Sequence, residues 1–424
     1  MTRLLNPLSQ PDVARSAHEA DARATPARIM SLSGLPASSK AVLLALLNLR
    51  GGALILVTPN GETLRFGDGA GVHAALLVHD YRVLRRIIKS GDIGFAESYI
   101  AGEWSTPDLA KVMTLLAANA EQIMRYITGG WALRALNFLR HLGRANTRAG
   151  AKRNILAHYD LGNSFFEAWL DPSMTYSSAR FDLGARTLEE AQHHKYRAIA
   201  DRLSLKPGQR VLEIGCGWGG FAETAARDCG AHVNGLTISK AQWDYASARM
   251  RRQNLTDRVD IRLVDYRDTE GQYDAIVSIE MFEAVGEKYW PAYFAKLREL
   301  LKPGGRAVLQ IITIRDDLFA EYRRAADFIQ HFIFPGGMLA SVRALRAQTA
   351  QAGLIWRGYD AFGASYAGTL AEWARRFSAK WGAIQKLGFD ERFKRLWLMY
   401  LAYCEAGFRT GRTDVIQLEL QRPA

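Results

Sequence analysis

Val211-Leu-Glu-Ile-Gly-Cys-Gly-Trp-Gly219 is the stretch whose reading decides the fold. A short apolar run, Val211, Leu212 and Ile214, stops at Gly215-Cys-Gly217. The run fits a buried parallel strand, and the glycines fit a tight turn into a helix starting near Gly220. Glycine suits the turn because a side chain would block close approach of a cofactor and because such turns use positive φ. The spacing is not GxGxxG, so the dinucleotide fingerprint fits poorly, and it is not GxxxxGK[ST], which excludes a P-loop. An ordinary strand–turn of an α/β domain remains the plain alternative.

Further candidate strands alternate with helical patterns: Arg210–Ile214, His232–Thr237, Asp260–Leu263, Tyr273–Ile279 and Arg306–Ile312, then Leu354–Tyr359 and Val415–Leu420. Such alternation implies parallel βαβ units with right-handed crossovers. Leu301-Lys-Pro-Gly-Gly305 reads as a helix stop and a turn into the fifth strand. The expected fold class is α/β: a doubly wound, mostly parallel seven-stranded sheet, preceded by a smaller mixed α/β domain. Ligands of such sheets sit beyond the carboxyl ends of the strands, at the switch point. Gly215–Gly217, Thr237, Asp265-Tyr266 and Ile279-Glu280 all fall there, so separate polar positions converge on one crevice.

Residues 1–30 are polar and are expected to be disordered. Residues 31–142 read as the first domain, with a helix over Ser38–Leu49, strands around Ala53–Val57 and Glu62–Phe66 turning at Pro59-Asn60-Gly61, and then helices. Residues 143–153 read as a basic linker and 154–424 as the second domain. The 424 residues carry 55 Lys+Arg against 43 Asp+Glu, a net charge of +12. That excess points to an anionic partner, either nucleic acid or an anionic membrane surface. Three separated cysteines, Cys216, Cys229 and Cys404, form no CxxC. They argue against a disulfide framework and a structural zinc site and suit a reducing cytosol. The apolar run Ala41–Leu47 is too short for a bilayer, which needs about 20 residues.

Longer strings are more specific. In order they are His158-Tyr-Asp-Leu-Gly-Asn-Ser-Phe-Phe166, Leu170-Asp-Pro-Ser-Met-Thr-Tyr-Ser177, Leu188-Glu-Glu-Ala-Gln192, the glycine turn, Gly235-Leu-Thr-Ile-Ser239 with Gln242, and Met281-Phe-Glu-Ala-Val-Gly286. Ile333-Phe-Pro-Gly-Gly337, Phe362-Gly-Ala-Ser-Tyr366 with Thr369-Leu370 and Trp373, and Phe408-Arg409 follow. The set resembles the cyclopropane-fatty-acyl-phospholipid synthase family, including the mycolic-acid cyclopropane synthases. Gly91-Asp-Ile-Gly-Phe-Ala-Glu-Ser-Tyr99 through Trp104 is similar to the extra N-terminal domain of the bacterial phospholipid enzymes, which would bind lipid or mediate dimerisation.

The resemblance implies S-adenosyl-L-methionine as cosubstrate. Its matching contacts are Tyr159, Tyr176, Ser177, Glu213, Gly215, Gly217, Thr237, Gln242 and Tyr266. It implies methyl transfer to the double bond of an unsaturated acyl chain of membrane phospholipid, by a peripheral enzyme on the cytoplasmic face of the membrane. The family loses a proton to a bicarbonate held by Cys, Glu, His, Tyr and a backbone group. Here Glu283 and Tyr366 match, whereas Ser178 replaces the cysteine, Ala284 the histidine after the glutamate, and Gln310 the histidine of the fifth strand, with Ile312 two residues on. Ser and Gln still donate hydrogen bonds, but the imidazole is gone. Bicarbonate is therefore expected to bind less well, or another base replaces it; His331 is one candidate. A methyl-branched or methylene product, as in tuberculostearic and furan fatty acid pathways, stands beside the cyclopropane. Glu283 is read as the functional acid and Glu280, one turn away, as a helix cap.

Aromatic and basic clusters at Tyr322–Phe328, Phe332–Phe334 and Arg392–Trp397 fit either membrane contact or core packing. A nucleic-acid methyltransferase lacks support, because no Asn-Pro-Pro-Tyr-type motif follows the fourth strand and no RNA-binding module is visible. A non-catalytic lipid-binding protein is opposed by the intact glycine turn.

Overall fold

A computed structural model describes residues 23–127, 161–324 and 326–424. The chain divides into two compact units, Met1–Asn137 with Asp390–Ala406, and Phe138–Phe389 with Gly407–Ala424. The linker expected at 143–153 lies outside the described residues, as does most of the segment 1–30. The described part of that segment departs from the expectation of disorder. Pro26–Ser31 is a helix with proline in its first turn, Thr25 caps it through the Arg28 N–H, and Ile29 is fully buried. Asp390–Ala406, read from the sequence as part of the second domain, is grouped with the first unit.

The first unit holds a four-stranded sheet of β1 (Gly52–Val57), β2 (Thr63–Gly67), β3 (Val72–Val78) and β4 (Trp104–Ser105), in the order β2-β1-β3-β4. β1 and β2 form the expected hairpin, and β1 runs parallel to β3. Helices were expected directly after Phe66, yet β3 intervenes. Its Ala74, Leu76 and Val78 are buried in alternation, the period of a half-buried strand. Trp104 is fully buried, stacks on Phe95 at 4.4 Å between ring centroids, and donates to Ser98 Oγ at 2.9 Å.

The second unit carries β5 (Arg210–Ile214), β6 (His232–Thr237), β7 (Val259–Leu263), β8 (Tyr273–Ile279), β9 (Leu301–Ile314), β10 (Ile355–Ala361) and β11 (Thr413–Gln421). Their order is β10-β11-β9-β8-β5-β6-β7. β5–β9 run parallel, and β11 is antiparallel to both β9 and β10. This is the expected doubly wound sheet. Ladder pairing begins at Leu301, so the expected stop and turn at Leu301–Gly305 lie within the run of β9, with an irregularity opposite Tyr273/Ala275.

Side chains alternate between two cores, as a sheet covered on both faces requires. Leu212, Ile214, Ile276, Leu309 and Ile311 pack with Trp290, Tyr293 and Phe294 of the helix Trp290–Leu300. Val211, Val233, Val277 and Val308 pack with the helices Leu188–Leu203, Gly220–Cys229 and Lys240–Arg252. The helix Leu188–Leu203 starts in a capping box, Thr187 and Glu190 each accepting the other's N–H. The chain leaves β5 towards β6 on one side and β8 on the other, so the switch point lies beyond the carboxyl ends of β5 and β8.

Trp290, 1% exposed and stacked on Phe282 at 5.4 Å, anchors one core. Trp290→Ala is expected to destabilise the protein by about 3–5 kcal/mol, measured as a lowered midpoint in urea.

Candidate active site

The glycine turn has the backbone its residues imply. Gly215, Gly217 and Gly219 take φ of 82°, 52° and 85°. The N–H groups of Gly215 and Cys216 both donate to Leu236 O, at 3.0 and 2.8 Å, and tie the turn to β6. A Cβ on Gly215 would stand 2.9 Å from Met281 Cγ, while one on Gly217 would meet nothing within 4 Å. The turn is thus open at Gly217, whose positive φ favours glycine.

At the end of β6, Thr237 Oγ1 donates to Gln242 Oε1 at 2.8 Å and accepts the Ser239 N–H at 3.1 Å. After β7, Tyr266 is half-buried, edge-on to Tyr293 at 5.4 Å, and Asp265 pairs with Arg267. Glu213 is only 2% exposed and accepts the Ala222 N–H. Burial pushes its carboxyl up to about 8. It serves the start of the helix Gly220–Cys229 and shares the sheet face of Val211. Tyr159 lies outside the described residues.

Tyr176 stands in an aromatic box. Phe166, Trp169 and Trp373 hold their ring centroids 5.3, 5.7 and 5.2 Å from it. Ser177 is buried, its Oγ accepts from Lys195 Nζ at 2.6 Å, and its carbonyl accepts from Gln192 Nε2 at 2.9 Å. Burial depresses Lys195 to about 7, against the pull of Glu280, Asp171 and Glu213.

The carboxylate cluster after β8 differs from expectation. Glu280 caps no helix: the short turn of helix at Phe282–Ala284 has no side-chain cap. Instead Glu280 is half-buried and held at φ 51°. Oε1 accepts the Ser178 N–H at 2.8 Å and Gln310 Nε2 at 2.7 Å, and Oε2 accepts the Tyr366 hydroxyl at 2.6 Å. The Glu280 N–H donates to Gln310 O at 2.8 Å. Burial raises the proton affinity of this carboxyl, opposed by Tyr366, Lys195, Gln310 and Ser178. Three of the four residues expected to carry the chemistry, Ser178, Gln310 and Tyr366, thus converge on an acid that sequence reasoning had set aside.

Glu283, the fourth, binds the backbone: its Oε1 accepts the Ile312 N–H at 2.5 Å. Its Oε2 is buried without a hydrogen-bond partner. Burial first, and then the neighbouring Glu280, push Glu283 to about 8. Ser178 uses its main-chain N–H, so exchange of its side chain leaves that contact in place. His331 is exposed on the helix Phe328–Phe332 with its ring edge-on to Phe332. The acid held by the matching donors is Glu280. Of the clusters read as membrane contact or core, Phe328 and Trp397 are buried at 0% and 2% exposure, which is core packing. Among the described residues no group of His, Cys, Asp and Glu is placed to hold a metal ion.

Comparison with known proteins gives the family. The family model for mycolic acid cyclopropane synthetase matches residues 146–418. This chain belongs to that family. It is 41% identical over 381 residues to a tuberculostearic acid methyltransferase of Mycobacterium tuberculosis, covering 85% of this chain and 87% of the relative. It is 36% identical over 341 residues to the cyclopropane-fatty-acyl-phospholipid synthase of Escherichia coli, covering 80% and 85%. A crystal structure of a mycolic acid cyclopropane synthase complexed with SAH and CTAB superposes with a TM-score of 0.60 at 31% identity, covering 64% of this chain and 98% of that one. The protein is an S-adenosylmethionine-dependent methyltransferase of the family that modifies fatty acyl chains.

Two outcomes follow. Gly217→Val is expected to fold, with a strain cost of about 1–2 kcal/mol, and to weaken S-adenosylmethionine binding at least ~10-fold, a loss of about 1.4 kcal/mol, by calorimetry. Glu283 keeps its proton in the folded chain up to about 8, whereas an ordinary glutamate loses it near 4.5. Folding therefore takes up a proton between these values, and wild-type stability falls as pH rises through the window. Relative to wild type, Glu283→Gln is expected to gain stability from pH 4.5 to about 8, by at most ~1.4 kcal/mol per unit, and to level off above it. Unfolding in urea across pH measures this.

Proposed function

We propose that this enzyme methylates a cis double bond in an unsaturated acyl chain of membrane phospholipid, and that its own product is a methylene-bearing chain. The observation that carries the proposal is the half-buried acid cluster after β8, with Glu280 held by Ser178, Gln310 and Tyr366. Bound S-adenosylmethionine supplies an electrophilic sulfonium methyl. An alkene is a weak nucleophile, so the protein contributes alignment and a site without competing water. The faces of Tyr176, Trp373 and Phe166 suit the positive charge that methyl transfer leaves on the acyl chain. A buried carboxylate then removes a proton.

The name of the 41% identical relative, a tuberculostearic acid methyltransferase, supports a branched outcome over ring closure. So do Ser178, Ala284 and Gln310 at positions where the cyclopropane pattern has cysteine and two histidines. A saturated methyl branch needs two further electrons, and the β5 turn lacks the GxGxxG spacing that would seat a nicotinamide dinucleotide. Of the branched products, the methylene is the one that needs no reductant. Cyclopropane formation is the second reading, favoured by the 36% identical Escherichia coli relative.

The net charge of +12 supports docking on an anionic bilayer, and no helix among the described residues is long and apolar enough to cross one. Vesicles of vaccenoyl or oleoyl phosphatidylglycerol with methyl-labelled S-adenosylmethionine test the proposal. The expected acyl product, by mass spectrometry and NMR, carries the label in an exocyclic methylene. A labelled cyclopropane ring overturns that product assignment. Co-sedimentation with the vesicles is expected to weaken on raising the salt from 0.05 to 0.5 M, as screening shortens to a few ångströms (~4 Å).

A further inference from the structure

We infer that Glu280 is the base of the reaction, a carboxylate built into the chain where the family pattern calls for a bicarbonate ion. The inference rests on the methyl transfer proposed above. Ser178, Gln310 and Tyr366 match positions expected to hold that ion, and all three donate to Glu280. A glutamate carboxylate and bicarbonate share a planar, three-connected carbon with oxygen acceptors and a single negative charge. Donors aimed at one are engaged when the other is present, so the two cannot occupy the same set together.

The amide orientation on which this depends is determined by the network. Arg180 only donates, and its Nη1 donates to Gln417 Oε1 at 3.1 Å. Gln417 must therefore turn its Nε2 to Gln310 Oε1, also at 3.1 Å. Gln310 is then left with Nε2 facing Glu280. An ordered chain of donors runs from a buried guanidinium to the carboxylate, doing with amides what an imidazole would do beside an anion.

The backbone points the same way. Among the described residues only Met174, Ser204, Asn254 and Glu280 have positive φ without being glycine. Left-handed backbone at a side chain with a Cβ costs about 1–2 kcal/mol, and such strain persists where surrounding contacts over-determine it. Here those contacts are the three donors and the Glu280 N–H to Gln310 O bond. The neighbouring Glu283 accepts one backbone N–H and is pushed up to about 8 by burial and by Glu280, whereas Glu280 accepts from three donors.

The step balances as follows. The alkene π pair forms the new carbon–carbon bond, and the methyl–sulfur pair stays on sulfur. A hydride shifts from the methylated carbon to the adjacent cationic carbon. A Glu280 oxygen takes one proton from the methyl group, and that carbon–hydrogen pair becomes the exocyclic double bond. The proton leaves Glu280 to water after the product departs.

The test compares CO2-free buffer with buffer containing added bicarbonate, using the labelled vesicle assay. The wild type is expected to run at the same rate in both. Glu280→Gln is expected to lose about 100-fold or more in rate, the usual worth of a positioned base. Its S-adenosylmethionine affinity by calorimetry is expected to stay within about twofold, which separates lost chemistry from lost fold. Glu280→Gly eases the backbone and empties the donor set, and its low rate is expected to rise with bicarbonate concentration. A wild type that slows in CO2-free buffer and recovers with bicarbonate overturns the inference while leaving the methyl transfer intact. So does Glu280→Gln at the wild-type rate. A wild type that methylates no unsaturated phospholipid removes the proposed function itself.

Discussion

A carboxylate partly withdrawn from water at the end of β8 is the constraint around which the site is built. Such a group costs several kcal/mol to bury unless donors replace its water. For Glu280 those donors come from the loop before Leu188, from β9 and from the helix Gly363–Ala379. The demand propagates outward. Gln310 needs Gln417, which lies opposite it in the β9–β11 register, and Gln417 needs Arg180. Arg180 is paired with Asp182, which in turn accepts from Ser365, next to Tyr366. The antiparallel last strand, held between β9 and β10, therefore supports the Glu280 network as well as the sheet.

A second layer of charge lies behind the first. Lys195 is fully enclosed and interacts with Glu280, Asp171 and Glu213 together. In so low a dielectric each protonation state depends on the others. Depression of Lys195 to about 7 and elevation of Glu213 to about 8 express one shared cost of burial. The aromatic box around Tyr176 keeps this region apolar, and its Phe166 reaches Trp218 of the glycine turn. A site that handles a positive charge on carbon needs both properties: ring faces that tolerate a cation and an absence of water that would capture it.

Much of this was readable in one dimension. Strands buried on both faces read as apolar runs, which is why β5, β6, β8 and β11 fall within a residue or two of their expected limits. β3 was missed because its Ala-Ala-Leu-Leu centre carries no polar alternation, and only packing reveals which residues are buried. Tyr366 was found by its place in an ordered string, and Ser178 and Gln310 by the family positions they occupy after Ser177 and late in the fifth strand. Glu280 was misassigned to a cap although it stood at a strand end. Its role rests on partners 102, 30 and 86 residues away and on a left-handed backbone angle, neither of which leaves a local pattern.

Local chemistry in the sequence by itself determined the doubly wound sheet, the glycine turn after β5 and the kinship with lipid-modifying methyltransferases. Strand periodicity, glycine spacing and ordered motifs are properties of neighbouring residues. The tertiary structure alone decided which of two acids, Glu280 or Glu283, receives the converging donors. Hydrogen bonds act over about 3 Å of space, and only the folded chain says which residues are that close.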